Sequence, residues 1–466
     1  MSSESPVAGV AESPPASARF TRLVLAIVAV LAVLVVGLGA ANALRGPRVL
    51  DTVAGLGDAT RLAGTTIEFR LNQPVADLDA SAVRVDPATD ATVSVDDRTV
   101  RVAFAAPLRP SQDYVVEVAG VRAVGGGPES ALRHEFRTAD EVLHVLQRRA
   151  DGDDTVVRVA TGGGEPEVVI AAPRIESFAH AGDVIAAIEL LDDGANALRI
   201  AAAGQEGPPA SLALPQSGDV RNLQASTTRP LLGFVQDGPG GFATLHVLDV
   251  ADGVTATPQP VLALDGSPMS VDDYAFVPGT SSLVVRDRDG AMFLVDAAGV
   301  RPSTPLGSHT ELRGMLPGTS TVVVADPDRG ATIDLATGET STLELPPADL
   351  PDGAYPGRVT SLDLAGAHLL NVLIFDGSDG GQASLVARAD ADGTSVVFAP
   401  AEGSAVLDHC LAPGGTLVAV ETGAVGAPND GYEDEPWVAD TITTLVEVDT
   451  GRIVLSLAGG RSDWCG

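Results

Sequence analysis

The segment VVRVATGGGE, which begins at Val156, is a β-strand followed by a glycine-rich turn, and its pattern returns six more times. The later copies are LRIAAAGQEG from Leu198, LHVLDVADGV from Leu245, MFLVDAAGV from Met292, ATIDLATGET from Ala331, LVARADADGT from Leu385 and LVEVDTGRIV from Leu445. Successive copies begin 42, 47, 47, 39, 54 and 60 residues apart. A repeat of about 40–50 residues with several short strands is typical of a propeller blade. The sequence therefore predicts a β-propeller of about seven blades over residues 141–466.

A second repeat accompanies the first. It reads VPGTSSLVV from Val277, LPGTSTVVV from Leu316 and APGGTLVAV from Ala412. We interpret it as the turn from the innermost strand of a blade to the next strand. Two repeats in register at one period support a repetitive architecture more strongly than either repeat does alone.

The ends of the propeller region indicate how a ring would close. The first blade begins at what we interpret as its second strand, Val142–Gln147, so its innermost strand must come from elsewhere. Near the end of the sequence, Ser462–Cys465 resembles Leu407–Cys410, which begins the last blade. We therefore expect the C-terminal segment to supply the missing strand.

One stretch near the start of the sequence is long and apolar enough to cross a membrane. Leu23–Leu44 has no charged residue and as a helix would span about 33 Å. Two arginines flank it on each side, so the positive-inside rule gives no orientation. They are Arg19, Arg22, Arg45 and Arg48.

The distribution of the remaining residues favours a single-pass signal anchor. Residues 1–22 are rich in Ser, Pro and Ala, which predicts a disordered cytoplasmic tail. The folded mass follows the apolar stretch, so we expect it to lie outside the cell membrane. The alternative is cleavage at the A-x-A sequence Ala41–Ala43, which would release the protein.

An exported chain with two cysteines favours a disulfide. Cys410 and Cys465 occupy equivalent places in the two similar segments at the closure, so we predict that they pair. The bridge would close a loop of about 55 residues and stabilise the fold by about 4 kcal/mol. The alternative is two buried thiols.

Residues 47–140 show apolar alternation with a period of two, interrupted by turn sequences. Ile67, Phe69 and Leu71 share one face of a strand, and Glu68 and Arg70 share the other. The alternation recurs in further short strands, and about seven strands in about 90 residues is typical of a β-sandwich.

The sandwich region resembles the SbsA-type bacterial immunoglobulin-like domain. The resemblance is carried by IEFRLNQPV from Ile67, LRPSQDYVVEVAGV from Leu108 and FRT from Phe136. It implies a spacer or adhesion module without catalytic residues. The later repeats resemble YVTN- or WD40-like propellers, although the Trp-Asp and Gly-His marks of WD40 repeats are absent. Together they resemble a membrane-anchored surface protein of actinobacterial type.

Charge excludes one class of partner. The formal net charge is −33, and such a surface repels the phosphate backbone, so nucleic-acid binding is not expected. Contact with the membrane is expected through Leu23–Leu44 alone, because anionic headgroups are disfavoured for the same reason.

Acidic residues gather on one predicted face of the propeller. The starts of inner strands contribute Glu176, Asp273, Asp408 and Asp463. The longest loop, Gly423–Asp440, adds Tyr432, Glu433, Asp434, Glu435 and Trp437. This composition predicts a face that binds a divalent cation such as Ca²⁺ or a basic protein, with the two aromatics as anchors. The alternative is that Asp and Gly serve only tight turns.

The sequence shows no catalytic constellation. The seven histidines lack H-x-H and H-E-x-x-H spacing, and there is no G-x-S-x-G motif. The leading hypothesis is therefore a membrane-anchored extracytoplasmic binding or scaffold protein of the cell envelope, with no cofactor. The alternatives are a lactonase-like propeller hydrolase with a metal at the axial channel and a passive structural module of an envelope complex.

Overall fold

The computed structural model describes residues 16–43, 46–202, 208–238, 241–251, 253–299, 301–376, 381–432 and 436–465. These residues are almost entirely β-structure, with one α-helix near the N-terminus. The chain forms two compact units. The first comprises the described residues of Met1–Ala54, Ile67–Ala103 and Val115–Glu135, and the second comprises those of Gly55–Thr66, Phe104–Tyr114 and Phe136–Gly466.

The helix α1 spans Ala16–Ala43. It begins inside the predicted disordered tail, so the part of the tail from Ala16 to Arg22 is helical rather than disordered. Phe20–Leu38 has a mean hydropathy of 2.7, and none of this window is buried against protein. Its length and composition fit a membrane-spanning anchor and also a signal peptide.

Seven strands follow the helix, in the region where alternation predicted a sandwich. One sheet has the order β1-β2-β5-β4 and the other the order β3-β6-β7. The strands are β1 (Val49–Gly55), β2 (Thr66–Leu71), β3 (Val83–Asp86), β4 (Ala91–Asp96), β5 (Thr99–Phe104), β6 (Asp113–Val121) and β7 (Ser130–Arg137). Ile67, Phe69 and Leu71 of β2 are buried, as their shared face predicts.

From Val142 to Ala458 the described chain forms seven antiparallel sheets in chain order, six with four strands and the first with three. Each sheet is a meander, in which consecutive strands are neighbours. The sheets are β8 (Val142–Gln147), β9 (Asp154–Ala160) and β10 (Glu167–Ala172); β11 (Ile175–Ala181), β12 (Val184–Leu190), β13 (Asn196–Ala202) and β14 (Ala210–Ser211); β15 (Val220–Ala225), β16 (Leu231–Asp237), β17 (Ala243–Asp249) and β18 (Gln259–Pro260); β19 (Val271–Phe276), β20 (Ser282–Asp287), β21 (Ala291–Asp296) and β22 (Thr304–Ser308); β23 (Glu311–Met315), β24 (Thr321–Asp326), β25 (Arg329–Asp334) and β26 (Thr340–Leu343); β27 (Ala354–Ser361), β28 (His368–Asp376), β29 (Gly381–Asp390) and β30 (Gly393–Phe398); and β31 (Ser404–Leu411), β32 (Leu417–Ala424), β33 (Ile442–Glu447) and β34 (Ile453–Ala458).

The two sequence repeats fall where they were predicted in these sheets. The hairpin repeat joins the last two strands of each sheet, as in β33 and β34. The second repeat joins the first two strands, as in β19 and β20. The glycine of that turn, Gly279, has a φ of +77°, a conformation that favours glycine.

The hydrophobic core of the second unit lies between neighbouring sheets. The second strands are apolar almost throughout and buried along nearly their whole length, as in β12 and β16, because a neighbouring sheet covers each face. One cluster joins the first sheet to the last, with Leu143 and Val145 packed near Ala419 and Leu457. The sheets therefore follow one another into a ring, which is the arrangement of a β-propeller.

The C-terminal segment closes this ring. We call Gly459–Trp464 the closing segment. The N–H of Leu146 in β8 donates to the carbonyl oxygen of Gly460 at 2.8 Å, and the N–H of Gly460 donates back to Leu146 at 2.9 Å. The segment therefore takes the place of the first strand in the three-stranded sheet, as the sequence predicts. It does so through one bridge followed by a 3-10 turn at Asp463–Cys465 rather than through a regular strand.

Candidate functional site

A cavity of about 240 Å³ lies at the centre of the ring. Its lining comes from the first strands of five successive sheets and from the closing segment. Polar groups among the lining residues are Gln224 of β15, Arg313 of β23, Arg358, Thr360 and Ser361 of β27, His409 of β31 and Asp463 of the closing segment. Ligand sites are usually concave pockets lined by a few placed polar groups, and this cavity has that form.

A second cavity, of about 500 Å³, separates β23 from β27. Arg313 and Arg358 line both cavities, so the two spaces share a pair of guanidinium groups. Arg358 donates to both carboxylate oxygens of Asp408, at 2.9 and 2.8 Å. Arg313 donates to Glu311 at 3.1 Å. Each arginine is thus held in place by a carboxylate beside the cavity.

His409 is a fully buried imidazole in the wall of the central cavity. Its Nε2 lies 3.1 Å from the hydroxyl of Thr360. Burial lowers the pKa of His409 to about 4, and the nearby positive charge of Arg358 acts in the same direction, whereas Asp408 opposes it. His409 is therefore neutral at pH 7 and can donate or accept a hydrogen bond.

Beside the central cavity the fold brings together His144 of β8, His180 of β11 and Asp463 of the closing segment. One ligand atom from each lies within 4.8 Å of the others. His144 Nδ1 is 2.8 Å and His180 Nδ1 is 4.0 Å from Asp463 Oδ2. The two imidazole rings lie 4.0 Å apart between centroids and are tilted by 31°.

Burial keeps this cluster in a defined arrangement. The side chains of His144 and Asp463 are 1% and 9% exposed, and the other carboxylate oxygen of Asp463 accepts the backbone N–H of His144 at 3.0 Å. Desolvation and, to a smaller extent, the nearby His144 lower the pKa of His180 to about 4, although Asp463 and a backbone hydrogen bond with Gly182 oppose these effects. His180 is therefore neutral at pH 7.

A third cavity, of about 200 Å³, borders the cluster and is lined by His180, Asp463, Asp58 and Arg61 among others. The Arg61 guanidinium is bound by both oxygens of the Glu141 carboxylate, at 3.0 to 3.2 Å. Glu141 is only 3% exposed. Its carboxylate balances the positive charge of Arg61 close to the two histidines.

The structure places the four acidic residues predicted at the starts of inner strands in different surroundings, and their shared binding role stays a prediction. Only Asp463 is among the described residues that line the central cavity. Glu176 is buried in β11, where it accepts a hydrogen bond from Asn196 at 3.2 Å. Asp273 in β19 is half-buried, and desolvation raises its pKa. Asp408 is bound to Arg358 beside the cavity.

The long loop after β32 is bound to the first sheet, partly through Tyr432, one of its two predicted anchors. Tyr432 is 6% exposed, and its hydroxyl donates to the buried carboxylate of Asp154. The guanidinium of Arg148 lies 3.8 Å from the centre of the Tyr432 ring and also pairs with Asp430 in the same loop. Asp430 and Tyr432 of this loop therefore link the last sheet to the first.

Trp437 is the second predicted anchor in this loop. Trp437 is half-buried, with the guanidinium of Arg461 lying 5.2 Å from its ring. Glu433, Asp434 and Glu435 lie outside the described residues. Their predicted binding role stays a prediction.

The predicted disulfide also stays a prediction. Cys410 is 2% exposed in β31, and the 3-10 turn that contains Cys465 packs against this strand. The side chain of Cys465 lies outside the described residues. In the part of the chain that the structure describes, no cysteine is a free thiol.

Sequence reasoning missed the histidine cluster because its members are far apart in the chain. His144 and Asp463 are 319 positions apart, so a search for local ligand spacing does not find them. The signal was present in the predicted closure, which placed the closing segment beside the strand that begins at Val142. Adding the side-chain identities of those two segments would have paired His144 with Asp463.

No family model matches the chain, and no curated protein matches it. Similar solved structures include the β-propeller domain of the trilobed protease from Pyrococcus furiosus, at 9% identity and a TM-score of 0.39, covering 79% of this chain and 97% of that one. A putative TolB from Agrobacterium tumefaciens has 12% identity and a TM-score of 0.33, covering 69% and 91%. Apo AztD from Citrobacter koseri has 10% identity and a TM-score of 0.33, covering 75% and 96%. We draw no functional conclusion from similarities at this level.

Proposed function

We propose that the chain is a membrane-anchored extracytoplasmic binding protein whose seven-bladed propeller holds a small polar ligand in its central cavity. The observation that carries this proposal is the lining of the cavity, where Arg313, Arg358 and His409 meet hydroxyl and amide groups. A few placed polar groups in a concave site give a ligand its orientation and its specificity.

The proposed ligand carries an acidic group. Arginine presents a planar fork of donors that fits a carboxylate or a phosphate. Arg313 and Arg358 are held by Glu311 and Asp408, so a ligand would share these arginines rather than meet free cations. Hydroxyl and amide groups such as Thr360 and Gln224 suit the remaining polar atoms of the ligand.

The proposed location follows from α1 and from the two compact units. A helix that exposes Phe20–Leu38 along its whole length is stable only where lipid or another protein covers it. The proposed topology places strands β1–β7, as an immunoglobulin-like spacer, and the propeller on the outer side of the membrane. The predicted Cys410–Cys465 bridge belongs to the same proposal, because disulfides persist in oxidising compartments.

Localisation is tested by fractionation and protease protection. The full-length protein should remain with membranes after alkaline carbonate treatment and dissolve only in detergent. Protease added to intact cells should remove the propeller. A propeller that is protected in intact cells and cleaved only after lysis would contradict the topology.

Ligand binding is tested by thermal unfolding of the detergent-solubilised chain with inorganic phosphate, citrate and glucuronate as probes. At least one probe should raise the melting temperature saturably, and Arg358→Gln should abolish that rise. Arg329→Gln is the matched control, because Arg329 is 66% exposed in the side chain and lies away from the cavity. Loss of the rise in both variants would contradict the proposed site, and a protein that responds to no probe fits a passive module instead.

A further inference from the structure

We propose that His144, His180 and Asp463 form a binding site for one divalent transition-metal ion, with Zn²⁺ as the preferred occupant. The site lies beside the central cavity: Asp463 also contributes to the lining of that cavity, whereas His144 and His180 do not. It differs from the cation site predicted on the acidic loops both in place and in ligand chemistry.

The spacing of the three donors is close to what a metal needs. In tetrahedral zinc sites the metal lies about 2.0–2.2 Å from nitrogen and oxygen ligands, so neighbouring ligand atoms are about 3.3 Å apart. The observed separations of 2.8 Å and 4.0 Å from Asp463 Oδ2 lie on either side of that value. Small rotations of the His144 and His180 rings would therefore bring both nitrogens to bonding distance.

The donor set selects the class of metal. Two imidazole nitrogens and one carboxylate oxygen suit Zn²⁺ and the other late first-row ions, whereas Ca²⁺ takes six to eight oxygen ligands. The cluster is therefore not a calcium site.

The surroundings orient the donors before a metal arrives. The Asp463 carboxylate accepts the backbone N–H of His144 through one oxygen, which leaves the other oxygen directed at the two rings. Second-shell hydrogen bonds of this kind fix the ligands of metal sites. The strands β8 and β11 carry the histidines, so two ligands come from rigid elements.

The local charge also favours a cation. Asp463 and Asp58 line the 200 Å³ cavity, and the two arginines of its wall are Arg61 and Arg229. Because Glu141 pairs with Arg61 at 3.0 Å, the three carboxylates outnumber the two guanidinium groups. That cavity reaches His180 and Asp463 directly, so it offers an entry path and room for water as a fourth ligand.

A metal at this site would join three elements that meet where the ring closes. Its ligands come from the first sheet, the second sheet and the closing segment, so bound metal would hold the closing segment in place. Because a ligand that binds only the folded state stabilises it by mass action, Zn²⁺ should raise the stability of the protein.

The experiment uses the full chain in detergent after treatment with EDTA and its removal. Zinc chloride is titrated in competition with a chromogenic chelator, and bound metal is counted by plasma mass spectrometry. We expect one Zn²⁺ per chain and a higher melting temperature. Co²⁺ in its place should give visible absorption bands typical of tetrahedral coordination by nitrogen and oxygen.

Two variants remove one donor each with little change of shape. His180→Gln and Asp463→Asn should each lower Zn²⁺ affinity at least tenfold and remove the thermal shift. His180 is the more exposed histidine, at 26% of its side chain, so its replacement leaves the core intact. A metal-free melting curve checks that each variant is folded.

His309→Gln is the matched control. His309 also faces a carboxylate, with Nδ1 3.2 Å from Asp326 Oδ2, but it is not part of the three-residue group. Its replacement should leave Zn²⁺ affinity unchanged. The proposal is overturned if the wild type binds less than one Zn²⁺ per chain, or if His180→Gln and Asp463→Asn bind it as tightly as the wild type. Neither result bears on phosphate, citrate or glucuronate binding, which Arg358→Gln tests separately.

Discussion

Leu146 and Gly460 exchange two backbone hydrogen bonds, at 2.8 and 2.9 Å, across the point where the first and last parts of the propeller meet. Gly459, next to this bridge, has a φ of +117°. A Cβ atom at Gly459 would lie 2.8 Å from the carbonyl oxygen of Leu146. The closure therefore depends on a glycine for its backbone conformation and for its close approach to β8.

Gly459→Ala should destabilise the propeller by about 3 kcal/mol, because it adds a clash with β8 to the cost of a positive φ. Gly152→Ala is the matched control. Gly152 has a φ of +97°, and a Cβ atom added there would have no heavy atom within 4 Å, so the substitution should cost only about 1 kcal/mol. Urea unfolding midpoints measure both, and equal losses would show that the contact with β8 contributes nothing.

Tyr432→Phe should destabilise the protein by about 2 kcal/mol, because it removes a donor from the buried carboxylate of Asp154. Two backbone N–H groups, of Arg149 and Ile175, would remain as its partners, at 2.8 and 2.9 Å. Tyr355→Phe is the control, since Tyr355 is 59% exposed, and it should change stability by less than about 0.5 kcal/mol. Chemical denaturation compares the two variants. A Tyr432→Phe protein as stable as the wild type would show that the hydrogen bond between Tyr432 and Asp154 does not stabilise the fold.

Stability should fall as the pH is lowered from about 6.5 to 4, in part because of His409. The pKa of His409 is lowered to about 4 in the folded chain, against about 6.5 when unfolded. Between these values the unfolded state binds more protons, so acid favours unfolding. The contribution of His409 to the free energy of unfolding is fully present above pH 6.5 and amounts to roughly 3 kcal/mol.

His409→Gln should lower stability at pH 7 but lose less of it on acidification than the wild type does. Unfolding free energies at pH 7 and pH 4.5 measure the two slopes, and groups common to both proteins cancel in the comparison. Identical slopes would mean that His409 titrates normally in the folded chain.

The predicted Cys410–Cys465 bridge should appear in the exported protein as a resistance to alkylation. Denatured protein should take up iodoacetamide at two sites only after reduction, as read from intact mass. Cys465→Ser should destabilise the fold by about 4 kcal/mol, because it removes the cross-link that closes a loop of about 55 residues. Two thiols that are alkylated without reductant would show that the cysteines are unpaired.

The sequence predicted the elements of the propeller well because glycine turns and strand alternation are local signals. The hairpin at Leu445 and the turn at Val277 lie where their repeats placed them. Even the partner of β8 was predicted, because Ser462–Cys465 resembles the start of the last blade. The sandwich strands followed from alternation in the same way, except for β1, whose residues are mostly exposed.

The candidate site was predicted less well because side chains from different sheets build it. Periodicity gives the face of a strand but not the distance between two strands, so it could not show that Tyr432 contacts Asp154 or that Arg358 binds Asp408. Acidic composition suggested a shared binding surface, which stays a prediction, but composition could not identify the donor that each carboxylate binds. His144 and His180 came together only through the closure itself.

The bridge between Leu146 and Gly460 can form only late in the synthesis of the protein. Ribosomes deliver β8 long before the closing segment, so the edge of β8 that faces the ring centre has no native partner while roughly three hundred residues are still being made. An unpaired strand edge invites pairing with other chains. This edge of β8 therefore stays unpaired, and open to association with other chains, until the closing segment has been synthesised.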